Sequence, residues 1–339
     1  MLESSRLESC PVLGDSRYAA GRRPERHRAG RSGTAGSGQK GNGRRSDREP
    51  RPAYRCSAVD RSAPSVGVGD RLPVDPVNKG SGFFDLAVNI REAPPPVLPS
   101  PARYELSLLE SRRESPSSMS FRFSTEGTGF RYLSNQAIRL ALPGVDDPWG
   151  AVRTFSLSSS PSEAGFLQVT CKISDTPFKQ ALAHLSAGAK AYVFGPLGRF
   201  LFDASRPSVL IAGGIGITPF RGMIRYASDT GARLPVTLLY SARVPEELVF
   251  RAELDDIARS HPNVRVNYTV TRPDESSAPP VGRVGRIDRA WIEEQCDLGV
   301  HPRIFVAGLP EMVGEIVTTL TGPLHISPED IEYELFRGF

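Results

Sequence analysis

Cysteine is scarce in this chain of 339 residues. Cys10, Cys56, Cys171 and Cys296 lie far apart, and no Cys-x-x-Cys occurs. That spacing offers no zinc or iron–sulfur ligand set from this chain alone, and no disulfide framework. It fits a reducing, cytoplasmic compartment. The histidines, His27, His184, His261, His301 and His325, show no metal-ligand spacing, so no metal site is expected. Long apolar runs are missing too. Nothing approaches the ~18 residues of a membrane span. The N-terminus lacks the apolar core of a secretory signal. Its Arg and Ser content suits a transit peptide, but Glu3, Glu8, Asp15 and Glu25 count against one, because such peptides avoid acids.

The charge is unevenly placed. Residues 1–100 hold 17 Lys+Arg against 11 Asp+Glu, whereas residues 101–339 hold 25 against 27. The net charge of +4 therefore belongs to the N-terminal part, and the rest is near neutral. Pairs such as Arg44-Arg45 read as a solvated tail, and no nucleic-acid partner is expected. Residues 1–100 are rich in Arg, Gly, Ser and Pro and poor in apolar side chains, which predicts a disordered basic tail and linker. Phe83–Val88 is an apolar exception that suits an edge strand or docking segment, and Pro94–Pro101 is a stiff linker. A second reading of the tail is a start site assigned too far upstream.

From Ala102 the apolar pattern alternates at period two. Strands are expected at Tyr104–Leu109, Met119–Phe123, Ala137–Leu142, Thr154–Leu157, Phe166–Ile173 and Lys190–Phe194. Six short strands with Gly/Pro punctuation predict an antiparallel barrel over 101–206. One helix interrupts it, with Thr176 as N-cap and Pro177 at its first position. After Pro207 strands and helices alternate. Strands are expected at Val209–Ala212, Pro235–Tyr240, Val264–Thr271 and Arg303–Ala307. Helices are expected at Pro219–Ser228, Pro245–Arg259, Asp288–Glu294 and Pro310–Leu320. This predicts a parallel-sheet nucleotide-binding α/β domain over 207–339, and a β + α/β fold class overall.

Two stretches carry chemistry. Gly213-Gly214-Ile215-Gly216-Ile217-Thr218-Pro219 follows a strand and opens a helix. It is neither G-x-G-x-x-G nor a lysine-bearing phosphate loop. Its glycines still let a backbone approach a ligand, and a helix starting at Thr218 points free amides at a pyrophosphate. Upstream, Arg153-Thr154-Phe155-Ser156 sets a guanidinium, an aromatic and hydroxyls on one strand. An arginine fork suits a phosphate, and an aromatic suits a flavin ring. Thr176-Pro177-Phe178-Lys179 adds a second helix start, which serves an anion or simple helix capping.

The order of these motifs resembles the ferredoxin–NADP⁺ reductase superfamily, in particular its bacterial oxidoreductases, over residues 102–339. The same order continues through Gly195–Phe200, Tyr240-Ser241-Ala242-Arg243, Val306–Met312 and Glu334-Leu335-Phe336. The resemblance implies a flavin-binding barrel and FAD as cofactor, with FMN not separated by the residues themselves. It implies that Arg153 binds the flavin pyrophosphate together with the segment Thr176, Pro177 and Phe178. Phe155 would lie against the isoalloxazine, and Ser156 would bond its hydride-accepting nitrogen, beside Thr154. Gly213, Gly214, Gly216 and Thr218 would hold NADPH or NADH, with Gly308 and Met312 bordering the nicotinamide. Glu334 would sit near Ser156, and either Phe336 or Phe339 would cover the flavin. Catalytic roles thus fall on Ser156, Glu334 and Phe336. Ala307 stands where the family often has cysteine, and Ser134-Asn135-Gln136 where it has Pro-Gly-Gln.

Ser241 and Arg243 offer a hydroxyl and a cation to a 2′-phosphate, which points to NADPH. Arg243 can instead pair with Glu246 or Glu247. The implied activity is hydride transfer from NAD(P)H to FAD and then to a protein acceptor such as ferredoxin or flavodoxin. The alternatives are the reductase component of a multi-component oxygenase, a soluble ferric or flavin reductase, and an electron-transfer subunit without turnover.

Overall fold

The structure is a computed structural model that describes residues 98–336 except Trp149, Arg199, Phe200, Asp203, Ala204 and Pro280. The expected tail, the Phe83–Val88 segment, most of the proline linker and Phe339 lie outside the described residues, as do Arg199 and Phe200 of the Gly195–Phe200 motif.

The first sheet has six antiparallel strands in the order β4-β3-β6-β1-β2-β5. They are β1 (Ala102–Ser115), β2 (Ser118–Ser124), β3 (Ala137–Ala141), β4 (Val152–Ser156), β5 (Phe166–Lys172) and β6 (Lys190–Leu197). A bridge between Leu157 and Val169 joins the β4 end to β5, which closes the sheet into the expected barrel. Leu106, Phe121, Phe123, Ile138, Leu140, Leu167 and Val193 fill its interior. β1 is longer than its apolar alternation predicts. Its polar second half, Glu110–Ser115, is held by pairing with β2 rather than by burial. The helix α1 (Pro177–Ala183) follows β5, capped by Thr176, whose side chain accepts from the Lys179 amide at 3.4 Å.

The second sheet is parallel, in the order β10-β9-β8-β7-β11-β12. It comprises β7 (Ser208–Gly213), β8 (Val236–Ala242), β9 (Val264–Val270), β10 (Arg283–Val284), β11 (Arg303–Gly308) and β12 (Ile331–Leu335). β7 and β11 are buried nearly end to end, as strands covered on both faces must be. The helices are α2 (Ile217–Asp229), α3 (Arg251–Ser260), α4 (Arg289–Gln295) and α5 (Pro310–Thr321).

Three local expectations are corrected. Pro219 does not open its helix. α2 starts two residues earlier, and Pro219 sits in the first turn, where its missing N–H costs nothing. Pro245–Arg259 is not one helix. Pro245–Glu247 forms a short 3-10 turn, and Phe250 at φ 63 breaks the chain before α3. The buried Phe250 ring packs in the core there, with the Arg221 guanidinium 5.7 Å from its centroid, so packing holds a left-handed backbone that local pattern does not announce. The edge strands β10 and β12 were also not anticipated. β12 carries two glutamates and is held by its register against β11.

Candidate functional site

A cavity of about 320 Å³ lies where the barrel meets the parallel sheet. Arg153, Thr154, Phe155 and Ser156 of β4, Thr170 and Cys171 of β5, and Lys179 of α1 form one wall. Ile215, Thr218, Glu334, Leu335 and Phe336 form the other. The close packing of α2 on the barrel sets this meeting. A Cβ on Gly222 would come within 2.7 Å of the Ser159 carbonyl oxygen, so the helix lies directly on the segment after β4. Arg221, next to it, is 4 % exposed and ties three elements together. It pairs with Glu163 of the barrel, with Glu253 of α3 at 2.7 Å, and donates to the Ser158 carbonyl at 3.0 Å. Burial opposes its charge, but the bond to Glu163 and the two carboxylates prevail and hold its pKa above the usual arginine value. Arg221, Gly222 and Glu163 escaped the sequence reading, since no local motif marks them.

Ser156 and Glu334, 178 residues apart, are hydrogen-bonded across the cavity: the Ser156 hydroxyl donates to Glu334 Oε1 at 2.6 Å. Burial pushes the Glu334 pKa up, and the serine bond opposes that shift. The Phe336 amide donates to the Gly308 carbonyl at 2.9 Å, which fixes the chain after β12 against the end of β11. The Thr218 hydroxyl is buried and has no hydrogen-bond partner among the described residues.

Arg153 is held from several sides. It donates to the carbonyls of Gly150 at 2.5 Å and Val152 at 3.0 Å, and pairs at 2.8 Å with Asp147, whose side chain is 0 % exposed. Its guanidinium lies 5.1 Å from the Phe178 ring centroid. Asp147 also accepts the Phe178 amide at 3.0 Å, so the start of α1 already faces a carboxylate. Thr176 and Pro177 are not among the cavity's lining residues; Lys179 of the same motif is. The Phe155 and Phe178 rings sit 6.3 Å apart.

The glycine turn divides by role. Gly213 is packed against Met312, and a Cβ at Gly213 would collide with its sulfur. Gly216 lies on the Ala307 carbonyl, which leaves no room for a side chain. Gly308 backs onto Gly213 and Met312. Only Gly214, at φ 53, faces open space, and it lines a second cavity of about 330 Å³ with Ile215, Lys172, Arg243, Glu247 and Glu275. Ile215 borders both cavities, so they adjoin across the turn. Ser241 is half-buried and outside this lining. Arg243 is exposed and paired with Glu275, not with Glu246 or Glu247. Bonds from Arg243 and Arg272 bring the Glu275 pKa down to about 2. Among the described residues no group of His, Cys, Asp and Glu could hold a metal ion.

The cavity's donor set fits a flavin. It has two aromatic side chains, a buried hydroxyl awaiting a partner, a serine–carboxyl pair and an ammonium in one enclosed space.

Residues 210–318 match the oxidoreductase NAD-binding domain model. A ferredoxin–NADP reductase B of Sorangium cellulosum is 28% identical over 243 residues, which cover 69% of this chain and 97% of that protein. The toluate 1,2-dioxygenase electron transfer component of Pseudomonas putida is 28% identical over 240 residues, 70% of this chain and 68% of its own. A ferredoxin NADP⁺ reductase structure from Neisseria gonorrhoeae superimposes with a TM-score of 0.56 at 22% identity, over 69% of this chain and 98% of that one. The matched domain, these relatives and the shared fold support the ferredoxin–NADP⁺ reductase-like superfamily.

Proposed function

We propose that the chain is a flavin-dependent oxidoreductase that passes hydride from NAD(P)H to FAD and then electrons to a separate acceptor. The observation that carries this reading is the Ser156–Glu334 bond inside a cavity walled by both lobes, beside Phe155 and Phe336. A bound flavin supplies hydride acceptance and electron release, and the protein supplies alignment and electrostatics. Phe155 and Phe336 offer aromatic surface to the ring system. Ser156 keeps a hydroxyl proton between β4 and Glu334, and burial lets Glu334 hold a proton above the usual carboxylate range. Ile215 and Thr218 complete the wall on the side of the parallel sheet. Gly214 and the second cavity would receive the dinucleotide, with Arg243 the cation available to a 2′-phosphate. The adjacency of the two cavities lets one ligand span both.

The lobes 101–206 and 207–339 act as flavin and nucleotide domains in this reading. The Neisseria structure was described with bound FAD and NADP, which supports the same pair of cofactors here. Ferredoxin, flavodoxin or an oxygenase is the acceptor. The likeness to the toluate dioxygenase component favours a second reading, the reductase of an oxygenase system. No helix among the described residues is long and apolar enough to cross a membrane. Cytoplasmic residence goes with the free Cys171 and Cys296.

Anaerobic absorbance titration with NADPH and, separately, NADH tests the proposal. A yellow protein bleached by either donor is the expected result. A flavin-loaded protein that neither donor reduces assigns it to electron-transfer subunits without turnover, and a colourless protein overturns the flavin reading.

A further inference from the structure

Lys179 is the one member of the Thr176–Lys179 motif that reaches the cavity, and it does so in an unusual state. It is 8 % exposed. Its ammonium lies 4.8 Å from the centroid of the Phe155 ring and beside Cys171. No carboxylate lies within ion-pair range of it among the described residues. The other charged groups of the cavity are compensated. Arg153 is matched by Asp147, and Glu334 is bonded to Ser156 and shifted by burial towards its neutral form. The cavity therefore carries one uncompensated positive charge, against the aromatic side chain that the functional reading sets beneath the flavin ring. A buried ammonium without a partner costs free energy, and a ligand that brings negative charge recovers it.

We propose that Lys179 faces the flavin ring system and stabilises its reduced form, so that this side chain raises the reduction potential of the bound cofactor. The assignment rests on the functional reading above. Hydride uptake brings two electrons and one proton to an uncharged ring and leaves it with one negative charge. An ammonium facing the ring favours that charge. The phosphates, the other anionic part of the cofactor, are the competing target.

The full chain, loaded with FAD, tests this with Lys179→Met and Lys179→Arg. The readouts are the dissociation constants of oxidised and reduced FAD and of riboflavin, which has no phosphate, and the two-electron midpoint potential. In Lys179→Met, reduced FAD is expected to weaken about tenfold more than oxidised FAD. For a two-electron couple that is a potential lower by about 30 mV. Lys179→Arg is expected to restore most of the difference. An unchanged potential in Lys179→Met overturns the proposal. So does an equal loss for both FAD forms with riboflavin binding untouched, which would assign the ammonium to the phosphates. Should Lys179→Met hold no flavin, sulfite addition to the unaltered protein gives the answer, because it also leaves one negative charge on the ring. Bleaching supports the proposal and its absence overturns it. An unaltered protein without flavin overturns the functional reading, and this assignment with it.

Discussion

The two walls of the central cavity are built on different principles. The barrel wall works through side chains. Arg153, Phe155, Ser156 and Lys179 come from two short segments, and their charges are balanced or left open by their neighbours. The wall from the parallel sheet works through the backbone. Gly213 and Gly216 carry no side chain because Met312 and the Ala307 carbonyl occupy that space, and Gly214 alone turns outward. A glycine-rich stretch thus serves internal packing at two positions and borders an open cavity at one.

The seam between the walls should give the largest effect. Arg221→Ala leaves Glu163 and Glu253 without their cation in a region that is mostly buried. A loss of about 3–5 kcal/mol is expected by urea denaturation. A loss under about 1 kcal/mol would mean that the ion pairs do not hold the walls together.

The contrast within the turn comes next. Gly216→Ala should cost roughly 3 kcal/mol, because the added methyl meets backbone that cannot yield. Gly214→Ala should cost only about 1–2 kcal/mol, for its left-handed φ, while weakening dinucleotide binding. Equal losses of stability would break the division of roles.

On the barrel wall, Ser156→Ala should slow hydride transfer by up to about 100-fold in anaerobic stopped flow, with flavin retained. Loss of flavin instead would show that Ser156 holds the cofactor rather than aligning it. Its partner gives a pH signature. The Glu334 pKa is raised in the folded state, so its contribution to stability is full below the ordinary glutamate value and is lost as pH rises through the raised one. Thermal unfolding across pH should show this decline, and Glu334→Gln should flatten it.

The smallest effect concerns the second cavity. Glu275 occupies Arg243 at the surface. Glu275→Gln should free the guanidinium and raise the preference for NADPH over NADH by about three-fold in kcat/KM, and Arg243→Ala should lower it. Unchanged selectivity in both would remove Arg243 from 2′-phosphate recognition.

Much of the fold was legible because burial writes itself into local patterns. Period-two alternation marked the barrel strands, and continuous apolar runs marked β7 and β11. The exceptions have causes outside their own segments. The polar second half of β1 is held by pairing with β2, and a polar strand held by its neighbour has no hydrophobic signature. The left-handed Phe250 follows from packing that no window of sequence contains. At the site, Arg153, Phe155, Ser156, Thr218, Glu334 and Phe336 come from separate motifs and line one cavity. Thr176 caps α1, Met312 packs on Gly213, and Lys179 lines the cavity where Thr176, Pro177 and Phe178 do not.

The sequence by itself determined the order of the barrel and the α/β region, the glycine turn and the residue types available to a flavin. Those are consequences of local patterning and of chemistry carried within a few neighbouring residues. Only the tertiary structure decided which of those residues are charge-balanced, which glycines are filled, and that Ser156 meets Glu334. Each of these depends on partners tens to hundreds of residues away, and electrostatic compensation and close packing are properties of what surrounds a group, not of the group's own segment.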